Sequence, residues 1–254
     1  MPQGVSSTAD AGQALIARVQ TVLDTGFDFA ESTVGNVMAL TEDELDTVIG
    51  KGIRLPVCNS FIPPTFSIMK RDTGLEAYVD ESMRRMMMLG TDTVVLGSGG
   101  ARRIPEGMSH GEGISIFKDF LTMCNGYGKK YGITVAIEPL NHKECNLLNR
   151  VGEGYLLAKE LGLDNVRLLA DAYHMAVENE PHSTLKCYTD MLCHVHVSQA
   201  DRAYPGKNAE DKYIPAFIQS LKESGYQGRI TVECGFDDFE SNAVVASAYL
   251  KKIL

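Results

Sequence analysis

A chain of 254 residues, 44% hydrophobic and 22% charged, is long enough to bury one substantial core and too apolar to be disordered. Its formal charge of -9 opposes a polyanion, because nucleic-acid affinity comes largely from Lys and Arg neutralising phosphates. The N-terminal MPQGVSSTADAGQ has no basic segment followed by an apolar run, and no stretch approaches the roughly 18 apolar residues of a membrane span, so a cytoplasmic protein without nucleic-acid or membrane partners is expected.

In chain order, eight apolar runs read as strands: GVSS near residue 4, FDFAES from 27, IRLPVC from 53, TDTVVLG from 91, ITVAIEP from 133, NVRLLAD from 165, LCHVHVS from 192 and RITVECG from 229. Several are nearly continuous Val, Ile and Leu, as parallel strands buried on both faces require. Helical patterns lie between them, among them AGQALIARVQTVLDTG, GLEAYVDESMRRMMMLG, EGISIFKDFLTMCNGYGKKYG and VGEGYLLAKELG. No linker interrupts the alternation, which predicts one domain over residues 1–254, an α/β fold of the single (β/α)8 TIM barrel type. A doubly wound sheet is the competing fold, but its Gly-rich first turn is absent, since SSTADAG does not match GxGxxG. Met83, Met86, Met87 and Met88 read as core packing. Cys58, Cys124, Cys145, Cys187, Cys193 and Cys234 contain no CxxC pair and read as reduced, buried or half-buried side chains.

The chemistry concentrates where strands end, because the C-terminal ends of barrel strands form the reactive mouth. AIEPLN ends in Glu138, LLADAYH in Asp171, HVHVSQADR carries His194 and His196, and TVECGF ends in Glu233. Carboxylates crowded in one pocket repel unless a cation joins them. Three oxygen donors with one imidazole suit Mn²⁺ first, then Co²⁺ or Mg²⁺, ahead of structural zinc. His194 and His196 share a face; His196, nearer the mouth, is the better ligand, and His194 reads as an interior histidine. Glu31, closing DFAEST, is expected to face the pocket and accept a sugar hydroxyl; Lys207 reads as an exposed loop lysine. GSGGARR at 97–103 reads either as a small anion nest with Arg102 and Arg103 or as a pocket wall.

EPLNHKE, DAYHM, HVHVSQADR and VECGF, in that order and spacing, resemble the xylose-isomerase-like sugar isomerase/epimerase superfamily, most closely its D-tagatose 3-epimerase/D-psicose 3-epimerase branch, over essentially residues 20–240. The resemblance implies one divalent metal on Glu138, Asp171, His196 and Glu233 and no organic cofactor. It implies proton exchange by Glu138 and Glu233 and substrate contacts from Glu144, His174 and Arg202. The substrate expected is a sugar or a polyol-derived molecule, and family barrels often form homo-oligomers. A bound ketose polarised by the metal would lose a proton beside its carbonyl to one glutamate and pass through an enediolate. The other glutamate would return the proton for epimerisation; return to the neighbouring carbon would be isomerisation.

Two departures stand out. The branch commonly walls its sugar with aromatics including Trp, whereas this chain has no Trp and offers Phe61, Phe66 or Tyr204. The family tends to place a glutamate shortly after the strand-7 histidine, where this chain has Gln199. A lyase or dehydratase, of the inosose dehydratase or C-glycoside-cleaving type, would begin with the same proton abstraction. An endonuclease-IV-like nuclease would need more metals and a basic face, and a non-catalytic sugar-binding barrel would not need the glutamate pair.

Overall fold

The computed structural model describes residues 1–6 and 12–254. SSTADAG and the first residue of the first predicted helix run into 7–11, outside the described residues. Among the described residues the strands are β1 Gln3–Ser6, β2 Phe29–Thr33, β3 Val57–Asn59, β4 Thr93–Leu96, β5 Thr134–Ile137, β6 Val166–Asp171, β7 Leu192–Val197 and β8 Arg229–Val232. Each pairs in parallel with the next and β8 returns to β1, so the sheet closes into a barrel of the (β/α)8 type. The helices are α1 Gln13–Asp24, α2 Val34–Met38, α3 Glu42–Gly50, α4 Leu75–Met88, α5 Gly99–Arg102, α6 His110–Tyr131, α7 Val151–Leu161, α8 Ala172–Val177, α9 Tyr213–Glu223 and α10 Phe239–Ile253. None is long and apolar enough to cross a membrane.

Two boundaries differ from the sequence reading for local reasons. Pro56 has no N–H to give a ladder, and the Leu55 N–H donates to Leu89, so β3 begins at Val57 rather than at Ile53. Ser109 and Glu112 form a reciprocal capping box that starts α6 at His110, two residues before the predicted Glu112.

The barrel interior is filled by Phe29, Val57, Val95, Ala136 and Leu169. The Phe29 ring needs Gly4 across from it on β1, because a Cβ there would lie 2.3 Å from the ring. Outside the strands, a larger shell of Val, Leu, Ile, Met and Phe packs the helices onto the barrel. Met83 and Met86 belong to that shell and Met88 packs at its edge, but Met87 stands 43% exposed on the outer face of α4. All six cysteines are free, and Cys187 departs from the expectation by being exposed.

Candidate active site

Strand alternation builds the site. Two residues beyond each inward position comes the next inward side chain, one layer nearer the C-terminal mouth. Ser6, Glu31, Asn59, Gly97, Glu138, Asp171, His196 and Glu233 follow Gly4, Phe29, Val57, Val95, Ala136, Leu169, His194 and Thr231 in this way. An apolar floor therefore carries a ring of polar groups, and the donor atoms of Glu138, Asp171, His196 and Glu233 lie within 4.8 Å of one another. Glu138, Asp171 and His196 are buried, whereas the Glu233 side chain keeps 25% of its surface open.

The donors are held from several directions. Asp171 caps α8, its Oδ1 accepting the Tyr173 N–H at 2.7 Å, which leaves Oδ2 for the pocket. Glu138 sits where Gly97 makes room, since a Cβ on residue 97 would come within 2.2 Å of its Oε2. His196 Nδ1 faces Glu138 Oε1 at 3.3 Å and Glu233 Oε2 at 3.5 Å, while its Nε2 is 3.0 Å from Glu31 Oε1. These contacts are close but bent: His196 Nδ1 and Glu138 Oε1 are buried without an aligned hydrogen-bond partner.

That orphaned pair tests whether a metal fits. Carboxylates only accept and they face both ring nitrogens, so Glu31 and Glu233 outweigh burial and push His196 well above the ordinary imidazole range. A metal at Nδ1 would take that proton's place and leave the other on Nε2 beside Glu31. Lone pairs converging in a buried space need a cation between them. Carboxylates outnumber guanidinium groups here, with Glu31, Glu138, Asp171 and Glu233 against Arg102 and Arg202, an excess that a cation would offset.

Electrostatics separate the two glutamates. Burial, with Glu233 nearby, pushes the Glu138 carboxyl above its ordinary range. Burial acts the same way on Glu233 but is outweighed by His196 and Arg202, which hold it below.

Arg202 reaches the site from the loop after β7, with Nη1 3.1 Å from Asp171 Oδ2, Nη2 3.2 Å from Glu233 Oε2, and its plane 4.4 Å from the Tyr173 ring. Its own backbone is tied on both sides, the N–H to Gln199 and the carbonyl to the Gly235 N–H. The Asn141 backbone N–H, at 3.1 Å, and its side-chain amide, at 2.8 Å, both aim at His174 Nδ1. This assigns the proton to Nε2, which points towards Asp171 Oδ2 at 3.7 Å and Glu144 Oε2 at 4.0 Å. Glu144 is 43% exposed at the rim, its Oε1 accepting from Asn141 at 2.9 Å. Glu138, Glu144, His174, Arg202 and Glu233 line a cavity of about 470 Å³, and a second of about 490 Å³, bounded by Arg18, Phe236 and Phe239, meets it at Asn59, Arg202 and Glu233.

Several expectations need correcting. Glu31 does not face the cavity: it is fully buried below it, its oxygens accepting from Asn59 (2.8 Å), Thr231 (2.7 Å) and His194 (3.0 Å), so none is free for a sugar hydroxyl. Phe61 is in the core and Phe66 packs on Tyr78, so neither walls the cavity; Phe236 does, with Tyr204 stacked behind it at 5.9 Å. GSGGARR is a wall and not an anion nest, because Arg102 is fully buried with its terminal nitrogens on the Leu96 and Glu138 carbonyls, and Arg103 donates to that of Glu144. Gln199 is buried and bonds the Asn208 carbonyl, closing the loop that presents Arg202. Lys207 is the exposed loop lysine expected, paired with Asp237 on the surface. Sequence reasoning passed over Asn59 and Asn141, although their place at or just after a strand end was the available signal.

Residues 19–253 match the model of a protein family described as xylose isomerase-like TIM barrel. The chain belongs to that family. It is 22% identical to a D-psicose 3-epimerase of Agrobacterium fabrum, over 85% of this chain and 77% of that one. A crystal structure of D-allulose 3-epimerase from Methylomonas sp. in complex with D-allulose superposes with a TM-score of 0.84 at 20% identity, covering 100% of this chain and 97% of that chain. The IOLI protein with a bound zinc atom gives 0.73 at 19% identity, over 100% and 96% of the two chains. At such identities the structural likeness speaks for the fold alone.

Proposed function

We propose that the protein is a divalent-metal-dependent sugar isomerase or epimerase that moves a proton at the carbon next to a ketose carbonyl, with Glu138 and Glu233 as acid and base. One observation carries the reading: four successive strands, β5 to β8, aim donors that lie within 4.8 Å of one another at an open cavity of about 470 Å³. The D-psicose 3-epimerase relative and the zinc-bearing neighbour support it.

Glu138, Asp171, His196 and Glu233 would hold the ion, and three carboxylates with one imidazole favour Mn²⁺ over a thiolate-loving structural zinc. Bound there, a divalent cation supplies Lewis-acid polarisation of the substrate carbonyl and offsets the charge of the enediolate. The chain's own residues do the rest. One glutamate takes the proton from the carbon beside the carbonyl, and the C–H electron pair becomes the enediolate double bond. Because Glu138 and Glu233 come from strands separated by two others, they reach the substrate from different sides. Return of the proton by the second glutamate on the opposite face inverts the carbon; return to the neighbouring carbon isomerises the sugar. The His174 Nε2–H, held outward by Asn141, donates to a substrate oxygen, Glu144 accepts a hydroxyl at the rim, and the Arg202 fork binds a further oxygen.

Chelation followed by reloading tests this. The stripped protein should turn over no member of a panel of ketoses and inososes, and Mn²⁺, Co²⁺ or Mg²⁺ should restore turnover. Full turnover by the stripped protein would sink the metal reading, and elimination products in place of isomers would move the reaction to the lyase class.

A further inference from the structure

Glu31 is a fully buried carboxylate that takes no part in the chemistry above. Its Oε1 accepts from Asn59 Nδ2 at 2.8 Å and lies 3.0 Å from His196 Nε2. Its Oε2 accepts from Thr231 Oγ1 at 2.7 Å and His194 Nε2 at 3.0 Å. Four side chains from β3, β7 and β8 thus converge on one carboxylate of β2. The same Asn59 amide reaches Glu233 Oε1 at 3.4 Å and Ser6 Oγ at 2.8 Å, so the network touches two of the four proposed ligands, His196 directly and Glu233 through Asn59. An ionised carboxylate shut away from water is costly and persists only where its partners hold it.

A metal between Glu31, His194 and His196 is a poor explanation, although their donors are close. Separations near 3.0 Å already fit hydrogen bonds and ion pairs, and all three residues are fully or almost fully buried. On the cavity side His196 Nδ1 and Glu138 Oε1 lack an aligned partner, and His196 Nε2 lies 3.0 Å from Glu31 Oε1 without being aligned on it. Glu31 accounts for that arrangement. Facing Nε2 with a permanent acceptor keeps the proton there, leaves the Nδ1 lone pair for the cavity, and prevents the ring from turning.

We infer that Glu31 is the positioning residue of the metal centre, fixing the tautomer and ring orientation of His196 and, through Asn59, the direction of Glu233. This rests on the metal reading above. It concerns affinity for the ion as much as turnover, so the readout is binding.

Co²⁺ binding by calorimetry and the visible spectrum of the Co²⁺-loaded protein are compared for the wild-type chain, Glu31→Gln and Asn59→Ala, with circular dichroism to check folding. Glu31→Gln keeps the shape but offers an amide where the network needs an acceptor at both oxygens. It should weaken Co²⁺ binding by about 10- to 100-fold and alter the ligand-field bands. Asn59→Ala removes the link to Glu233 and one of the donors to Glu31 Oε1 but leaves the Glu31 carboxylate beside His196, so it should give a smaller loss in the same direction, and it carries the test if Glu31→Gln does not fold. Wild-type affinity and spectrum in a folded Glu31→Gln, or in Asn59→Ala where that variant alone folds, would overturn the inference while the metal reading stands. Absence of Co²⁺ binding by the wild-type chain would overturn both.

Discussion

At the scale of single residues, the site depends on side chains that are absent as much as on those present. Glycine at the strand end 97 leaves room for the Glu138 carboxylate, whose Oε2 would lie only 2.2 Å from a Cβ there and would have to move. Gly97→Ala should therefore displace Glu138 while leaving the barrel folded. A displacement near 1 Å at a reacting group costs roughly 100-fold, so kcat/KM should fall by about that factor with an unchanged circular dichroism spectrum; wild-type kinetics in this variant would mean that Glu138 is not held where the chemistry needs it. The four proposed ligands were legible in the sequence because each ends an apolar strand. The depth of Glu31 was not. Alternation gives the face a residue occupies, but Phe29 and Glu31 share a face, and only the neighbouring His194 and Thr231 reveal that Glu31 reaches down between layers. The aromatic wall was missed for a similar reason: Phe61 follows a strand and looks exposed to the mouth, yet the chain turns it into the core, while Phe236 lies in the loop after β8.

At the scale of elements, the strands were legible because buried parallel strands are runs of apolar residues, while exact ends depend on local groups, as Pro56 shows for the start of β3 and Ser109 for the start of α6. Ion pairs between helices cannot be read this way, because they depend on which helices pack together. On α4, Glu81 receives hydrogen bonds from Arg84 at 2.8 Å and Arg85 at 2.6 Å, and both arginines also reach Glu42 at the start of α3. The Arg84 hydrogen bond chiefly holds the Glu81 carboxyl down, from 4.5 to about 2. A carboxyl whose value is depressed on folding adds stability above its unfolded value and loses it as pH falls through the folded one. The Glu81 side chain is 38% exposed, so solvent screens the pair and the contribution is about 0.5 kcal/mol. Glu81→Gln should lower unfolding stability by about that amount at pH 7, and denaturant titrations should show the difference shrinking below pH 4.5 and vanishing towards pH 2. A difference that stays constant over that range would assign the effect to packing.

At the scale of the whole molecule, one barrel performs two tasks on successive layers of the same strands. The lower layer of Phe29, Val57, Val95, Ala136 and Leu169 is an ordinary core, and the layer above it gathers charge. Stacking the polar ring on a dry floor keeps it rigid and leaves only the mouth open, where Arg202 and the loop glycines form the wall. The most direct measurement of the account is solvent deuterium exchange. The Mn²⁺-loaded protein is incubated in D₂O with a panel of ketoses, and product and label are followed by NMR. Deuterium should enter the carbon next to the carbonyl, and Glu138→Gln and Glu233→Gln should each slow that entry by about 10²- to 10⁴-fold. Turnover without deuterium entry, or exchange that survives both substitutions, would contradict proton transfer by these two glutamates.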